Sequence, residues 1–331
     1  MDIAEILGAF SKYSVLVVGD ICLDRWCTYD PATAEPSRET GIPRVGVVST
    51  EVAPGAGGNV ANNLASLGVG RAAVLGVLGD DGFAHELTRS LNARGISTDL
   101  LVRSEKVPTF TYTKLINAAT GAEDLPRVDF IHAHPLPDPV EQEVLEYLRE
   151  FAPSFDIIFV SDQADTRRGG VVNAAVRTLL EELCQADPGK IFWVDSRVRI
   201  ERFRNMILKP NQSEADAACI GLFGKVDYQR LRAHGDSKFI FVTKGREGVV
   251  VVEESGETLV PAFPVDHPID VSGAGDSFSA AAALALAITG SPVEAARFGN
   301  LVASIAVTKR GATVASPEEV LAAGTAHNPG N

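Results

Sequence analysis

The chain has 331 residues, 45% of them hydrophobic and 22% charged, with a formal net charge of -13. That composition suits a soluble α/β protein of one large or two smaller domains, and it argues against a nucleic-acid partner, because phosphate backbones are held by clustered Lys and Arg and no basic run occurs. Cys22, Cys27, Cys184 and Cys219 show no CxxC spacing, so neither zinc nor a disulfide framework is implied, and no segment has the apolar length to span a bilayer.

The first stretch, "MDIAEILGAFSKY", carries acids and no long apolar core, which predicts no signal peptide and a reduced, cytoplasmic protein. From there short apolar runs alternate with amphipathic ones, the pattern of βα units around a mostly parallel sheet. Strands are expected at Ser14–Asp20, Ala72–Asp80, Asp156–Asp162, Lys190–Ser196 and Lys238–Gly245. Helices are expected at Asn59–Leu67, Ala84–Arg94, Pro139–Glu150, Val171–Cys184, Ala274–Ile288 and Pro292–Thr308. Each strand ends in a polar residue or glycine, and ligands of open parallel sheets gather beyond those carboxyl ends. Two segments break the alternation, Trp26–Pro54 and Val107–Pro135, both rich in Thr, Val, Pro and turn residues. They read as short strands and hairpins that pair into a small sheet, either a lid over the carboxyl edge or surface decoration.

Two glycine clusters punctuate this order. "PGAGGNVANNLASLG" (Pro54–Gly68) lacks the third glycine of a dinucleotide fingerprint, since Val60 stands there, and no clean strand precedes it. It reads instead as a helix start where Gly58 and Asn59 meet ligand hydroxyls. "DVSGAGDSFSA" (Asp270–Ala280) opens an alanine-rich helix. Unpaired N–H groups of Gly273, Ala274, Gly275 and Asp276 at that N-terminus would gather an anion. Asp276 is then either a general base, taking a proton from an attacking hydroxyl, or a plain helix cap.

Between the clusters, "LKPNQSEA" sets Asn211 and Glu214 one helical turn apart, suited to ordering Mg²⁺ waters or to capping a helix. "VTKGREG" offers Thr243, Gly245 and Gly248 at a strand end, a ribose–phosphate environment or a hairpin. His132 and His134 share one side of a strand but have no third ligand nearby, which argues against a metal.

Together these residues resemble the ribokinase-like (PfkB) family of carbohydrate kinases. The two glycine clusters are similar to its two signatures, and the order of "VVGDICLD", GG-N, N-x-x-E, T-x-G-x-x-G and GAGD is the family's order. The resemblance implies a three-layer α/β/α core with a mostly parallel sheet at 1–25, 53–105 and 133–331, its nucleotide site in the C-terminal half, and a discontinuous β lid at 26–52 and 106–132. It implies an ATP- and Mg²⁺-dependent phosphotransferase with Asp276 as base and Gly273–Gly275 as anion hole. Mg²⁺ would be held through water by Asn211 and Glu214, and the nucleotide by Asn211, Glu214, Thr243, Gly245, Gly248 and Asn300. Asp20, Asp24, Gly57, Gly58 and Asn59 would bind sugar.

Within the family, "GDICLDRW", "LPRVDF" and "SDQADTRRGG" are similar to segments of the kinase half of bifunctional heptose kinase/adenylyltransferases. That likeness implies a heptose 7-phosphate phosphorylated at its anomeric hydroxyl, with Lys114 and Arg127 contacting it from the lid, and a homodimer formed through the lid. Other acceptors remain open: a ketohexose phosphate, 2-keto-3-deoxygluconate, ribose, or a catalytically silent binding role. Departures from the pattern are Val271-Ser272 in place of Thr-Thr, which bears on a K⁺ site near Asp270 and Ser272. Thr40, Gly41 and Arg44 in the lid, and Arg168-Gly169-Gly170 in place of K-G, bear on the choice of sugar.

Overall fold

A run such as Val15–Gly19 carries no polar side chain, so it is stable only with both faces covered. In the computed structural model, which describes residues 2–166, 168–311 and 313–326, this run is the middle of a large sheet. Its strands, in chain order with those of a second sheet, are β1 (Ser14–Gly19), β2 (Ile21–Tyr29), β3 (Val47–Ala56), β4 (Arg71–Gly79), β5 (Ser97–Ser104), β6 (Thr111–Asn117), β7 (Val128–Phe130), β8 (Ile157–Asp162), β9 (Ile191–Ser196), β10 (Ile207–Leu208), β11 (Ile240–Thr243), β12 (Val249–Glu253) and β13 (Gly256–Val260). The large sheet runs β13-β12-β11-β10-β9-β8-β1-β4-β5. It is parallel from β10 and β11 through to β5, and the antiparallel hairpin β12–β13 closes one end.

All five expected strands are present, with ends shifted by a residue or two. The six expected helices lie at Gly57–Ser66, Gly82–Asn92, Asp138–Phe151, Ala174–Ala186, Ala274–Thr289 and Pro292–Ala306. The helix expected from Val171 starts later because Asn173 caps it, accepting from the Val176 N–H at 3.0 Å, while the Val171 N–H turns to Asp20. The sequence reading passed over β5 and the β12–β13 hairpin, while the helix Gln212–Phe223 bears out the capped-helix alternative at Asn211 and Glu214.

Trp193 in β9 is fully buried, with ring centroids of Phe241 at 4.8 Å, Phe159 at 6.1 Å and Phe278 at 6.5 Å. The Ala274–Thr289 helix lies over this cluster and buries every residue from Ser277 to Leu286. Alanines suit it because the helix is covered on all sides, by the sheet and by the Pro292–Ala306 helix. Gly299 completes the fit, since a Cβ there would stand 2.6 Å from Phe278 Cδ2. Truncating Phe278 to alanine in such packing costs roughly 3–5 kcal/mol.

The second sheet has the order β3-β2-β6-β7, with β2 antiparallel to β3, parallel to β6, and β6 antiparallel to β7. One expectation needs correcting here. A strand does precede the first glycine cluster: β3 runs through Pro54 directly into the Gly57–Ser66 helix. β3 is the outer strand of its sheet, where the N–H that proline lacks is dispensable. The turn into the helix puts Ala56 at φ +49, a left-handed region that costs a non-glycine residue about 1–3 kcal/mol.

Candidate active site

The second glycine cluster behaves as its composition requires. Gly273 adopts φ +77 and acts as N-cap of the Ala274–Thr289 helix without a side-chain partner. The Ala274 N–H donates to the Val271 carbonyl at 3.3 Å, so this member of the expected anion hole is partly spent on the turn. Among the described residues, the N–H groups of Gly273, Gly275 and Asp276 have no protein acceptor. They stand at the positive end of a long buried helix, which is the physical definition of an anion pocket.

Asp276 is half-buried and lines a cavity of about 340 Å³. Burial, reinforced by the charge of Asp195, pushes its carboxyl up to about 7, although Asn59 and Lys209 pull the other way. Its Oδ2 accepts from Asn59 Nδ2 at 2.7 Å. A carboxylate of that basicity at a cavity wall can take a proton from an alcohol near neutral pH.

Lys209 and Asp195, which the sequence reading did not single out, complete the centre. Lys209 follows β10 and is buried, with Nζ 2.5 Å from Asp195 at the end of β9. A Cβ on Gly275 would stand 3.4 Å from Nζ, so glycine keeps the ammonium close to the free amides. Burial favours the neutral amine, yet Asp195, Glu214 and Asp276 outweigh it and hold the lysine charged. The available signal was the rule that strands end in functional polar residues, since "KIFWVDS" ends on Asp195 and Ser196.

Asn211 and Glu214 form a capping box on the Gln212–Phe223 helix. Asn211 Oδ1 accepts the Glu214 N–H at 2.9 Å, and Glu214 Oε2 accepts the Asn211 N–H at 2.8 Å. Among the described residues no group of three His, Cys, Asp or Glu side chains could hold a metal directly. Burial and the neighbouring Asp195 raise the Glu214 carboxyl. Asp195, Glu214 and Asp276 around one lysine leave surplus negative charge, which fits a hydrated divalent cation rather than a closed cage.

A second cavity of about 560 Å³ lies on the other side of the helix N-terminus. Lys209, Asn211, Thr243, Gly245, Val249, Phe263, Ala274 and Val307 are among its walls, and Gly275 lines both cavities. Gly245 faces open space at φ +55. Gly248 is needed for the backbone instead: at φ +105, a Cβ would lie 2.2 Å from the Val260 carbonyl oxygen. Asn300 lines the cavity, but its Nδ2 donates to the Val260 and Pro261 carbonyls at 3.1 Å each, leaving only Oδ1 to a ligand.

The smaller cavity sits between the second sheet and the helix terminus. Asp24, Arg25, Asn59, Lys114, Arg127 and Arg197 line it. Burial pushes Asp24 up to about 6, and a Cβ on Gly55 would stand 2.6 Å from its carboxylate. Asp20 does not line the cavity: its oxygens accept the N–H groups of Gln163, Ala164 and Val171, each at 2.8 Å. It organises loops instead. Gly57 and Gly58 are likewise behind the wall, allowing Ile21, Asp20 and Pro54 to approach. Asp270 accepts from the Ser272 and Gly311 N–H groups at 2.8 and 3.0 Å, and exposed Val271 offers no side-chain oxygen. These residues brace the loop and do not by themselves form a cage for K⁺.

Two chambers meeting at free helix amides, with a lysine and a basic carboxylate beside them, define a phosphotransferase with an alcohol acceptor. The chain belongs to the pfkB family of carbohydrate kinases, whose family model matches residues 13–319. It is 30% identical to "Bifunctional protein HldE" of Rhodopseudomonas palustris (strain BisB18), over 98% of this chain and 69% of that protein. It is 32% identical to the protein of the same name from Caulobacter sp. (strain K31), over 98% of this chain and 65% of that one. The chain thus spans about two thirds of the length of the curated relatives it matches. In fold it is similar to ribokinase from Thermotoga maritima, with a TM-score of 0.70 at 24% identity, covering 94% of this chain and 99% of that one. Phosphofructokinase-2 from Escherichia coli, solved with potassium, gives 0.68 at 20% identity, covering 94% and 97%. No helix among the described residues is long and apolar enough to cross a membrane.

Proposed function

We propose that the chain transfers the γ-phosphoryl group of ATP to a hydroxyl of a sugar that already carries a phosphate, and that this acceptor is D-glycero-D-manno-heptose 7-phosphate, phosphorylated at its anomeric hydroxyl. The observation that carries the choice of a charged acceptor is the wall of the smaller cavity. Arg25, Lys114, Arg127 and Arg197 face two acids, Asp24 and Asp276, in a chain whose net charge is -13. Lys114, Arg127 and Arg197 also pull the Asp24 carboxyl down, so their fields reach the cavity floor. Each cation also pairs with a carboxylate off this wall, Arg25 with Glu86, Lys114 with Glu123, Arg127 with Asp129 and Arg197 with Asp165, so the wall offers held donors that an anion entering the cavity would share. The heptose is supported by the similarity to the HldE proteins along nearly the whole chain.

In this reading the acceptor lies between Asp24, Asn59 and the second sheet, and ATP lies in the larger cavity beside Thr243, Gly245 and Asn211. Asp276 takes the proton as the acceptor oxygen bonds to the γ-phosphorus. The bond from that phosphorus to the bridging oxygen breaks, and ADP leaves. Charge on the transferred group is held by the Gly273, Gly275 and Asp276 amides and by Lys209. Asn211 and Glu214 would order the water shell of Mg²⁺, which shields phosphate charge. The small sheet, with residues 26–52 and 106–132, is read as a lid on a core of 1–25, 53–105 and 133–331, excluding water when closed. Exposed Val47 and Val48 on the outer strand β3 are the face on which a second copy would pair.

A coupled ADP-release screen tests the reading, run over heptose 7-phosphate, fructose 6-phosphate, 2-keto-3-deoxygluconate and ribose, with and without K⁺. Heptose 7-phosphate should give the highest kcat/KM. Preference for an uncharged sugar would remove the phosphate-reading cavity, and ADP release from none would remove the substrate class.

A further inference from the structure

Among the described residues, the amide of Asn59 is the one side chain hydrogen-bonded to Asp276, and an amide fits its pocket either way round. Its direction is set from behind. Asn63, one turn further along the same helix, donates through Nδ2 to the Asn59 backbone carbonyl at 2.9 Å. A backbone carbonyl can only accept, so Asn63 must turn its NH₂ there and its oxygen away. Ser277 Oγ meets that oxygen at 2.8 Å and must therefore be the donor. The same Asn63 NH₂ lies 3.4 Å from Asn59 Oδ1, which favours the Asn59 oxygen facing inward and its NH₂ facing Asp276. Asn59, Asn63 and Ser277 are all buried, at 1%, 1% and 0% exposure, so water does not compete for these atoms.

We propose that Asn63 and Ser277 are positioning residues for phosphoryl transfer: the one-way chain from Ser277 through Asn63 and Asn59 keeps Asp276 Oδ2 on a donor and leaves Oδ1 as the oxygen that takes the acceptor's proton. The inference rests on Asp276 being the general base. A proton on Oδ2 would face an N–H group, so the captured proton resides on Oδ1. Because the chain favours the charged carboxylate, breaking it raises the titration midpoint of Asp276. The other groups that act on Asp276 are Asp195 in β9, Lys209 after β10 and Asp24 in β2, and Asp276 in turn acts on Cys22 in β2. Substitutions at Asn63 or Ser277 leave all of them in place.

The test uses the full chain with Asn63→Leu, which keeps the branching of the side chain and cannot hydrogen-bond, and Ser277→Ala. The Asp276 carboxyl is titrated by carbon NMR in protein labelled at the aspartate side-chain carboxyl, its resonance assigned by its loss in Asp276→Asn. The midpoint should rise by roughly one pH unit in Asn63→Leu and by less in Ser277→Ala. The acid limb of kcat/KM for ADP release with heptose 7-phosphate should move with it, and kcat at neutral pH should fall about tenfold with the KM for ATP unchanged. In an Asn59→Ala background neither substitution should shift the midpoint further, which separates positioning from general loosening. An unmoved midpoint in a folded variant, or an equal shift without Asn59, overturns the inference. Should Asn63→Leu fail to fold, Ser277→Ala, alone and with Asn59→Ala, decides it by the same outcomes. Turnover retained by Asp276→Asn would remove the base reading while the titration still judged the chain.

Discussion

Replacing Asp276 with Asn should abolish turnover and, above neutral pH, make the protein more stable. Burial pushes the carboxyl up to about 7 in the folded chain, from an ordinary value of 3.8. A carboxyl raised on folding favours the native state while protonated, so its contribution is complete below about pH 4 and is lost as pH rises through 7. About three pH units correspond to roughly 4 kcal/mol as an upper bound. Asp276 is open to a solvent cavity, and screening reduces this to about 1–2 kcal/mol. Asn cannot ionise, and its side-chain oxygen can still accept from Asn59. For a chain of this length the unfolding entropy is about 0.7 kcal/mol/K, so Tm should rise by roughly 1.5–3 °C. Thermal melts of both proteins at pH 4.5 and 8.5 should show nearly equal Tm at the lower pH and the gain at the higher. ADP release should fall by about 10²–10⁴-fold. A stability difference that does not depend on pH, or a loss of stability at pH 8.5, would refute the reasoning.

Lys209→Met should cost about 3–5 kcal/mol in urea unfolding, because Asp195 is left buried without its partner. Adding Asp195→Asn should restore most of that stability while turnover stays low, the signature of a lysine that serves the phosphoryl group. Lys114→Ala and Arg197→Ala should each raise the KM for heptose 7-phosphate about tenfold with the KM for ATP unchanged, as initial-rate kinetics would show. Ala56→Gly should raise Tm by about 1–2 °C, since relief of the positive-φ strain exceeds the added chain entropy.

Much of the fold was legible because uninterrupted apolar strands and glycine-punctuated helix starts are local signals. The hairpin β12–β13 was not singled out, and "VTKGREG", which joins β11 to β12, reads equally as a ligand loop or a hairpin. In the site, Asp276 and Asn59 were readable from their glycine surroundings and Asp24 from the resemblance of "GDICLDRW", and the structure places all three on one cavity wall. Asp20, Gly57 and Gly58 were read toward the ligand but serve the frame, because sequence proximity to a site does not reveal which way a carboxylate or an N–H points. Lys209 and Asp195 escaped because their pairing joins positions far apart in sequence across neighbouring strand ends. Arg197 escaped because its role depends on β2 and β6 folding over it.

The meeting of the two chambers at Gly275 has an evolutionary consequence. The donor half is built from the strand ends and helices that also hold the hydrophobic core, so drift there is paid in folding as well as in rate. The acceptor half takes Trp26, Tyr112, Lys114 and Arg127 from two insertions whose tips can be lengthened or rewritten with the large sheet of the core untouched. New sugar preferences can therefore arise by exchanging loops, while the triphosphate end is inherited intact.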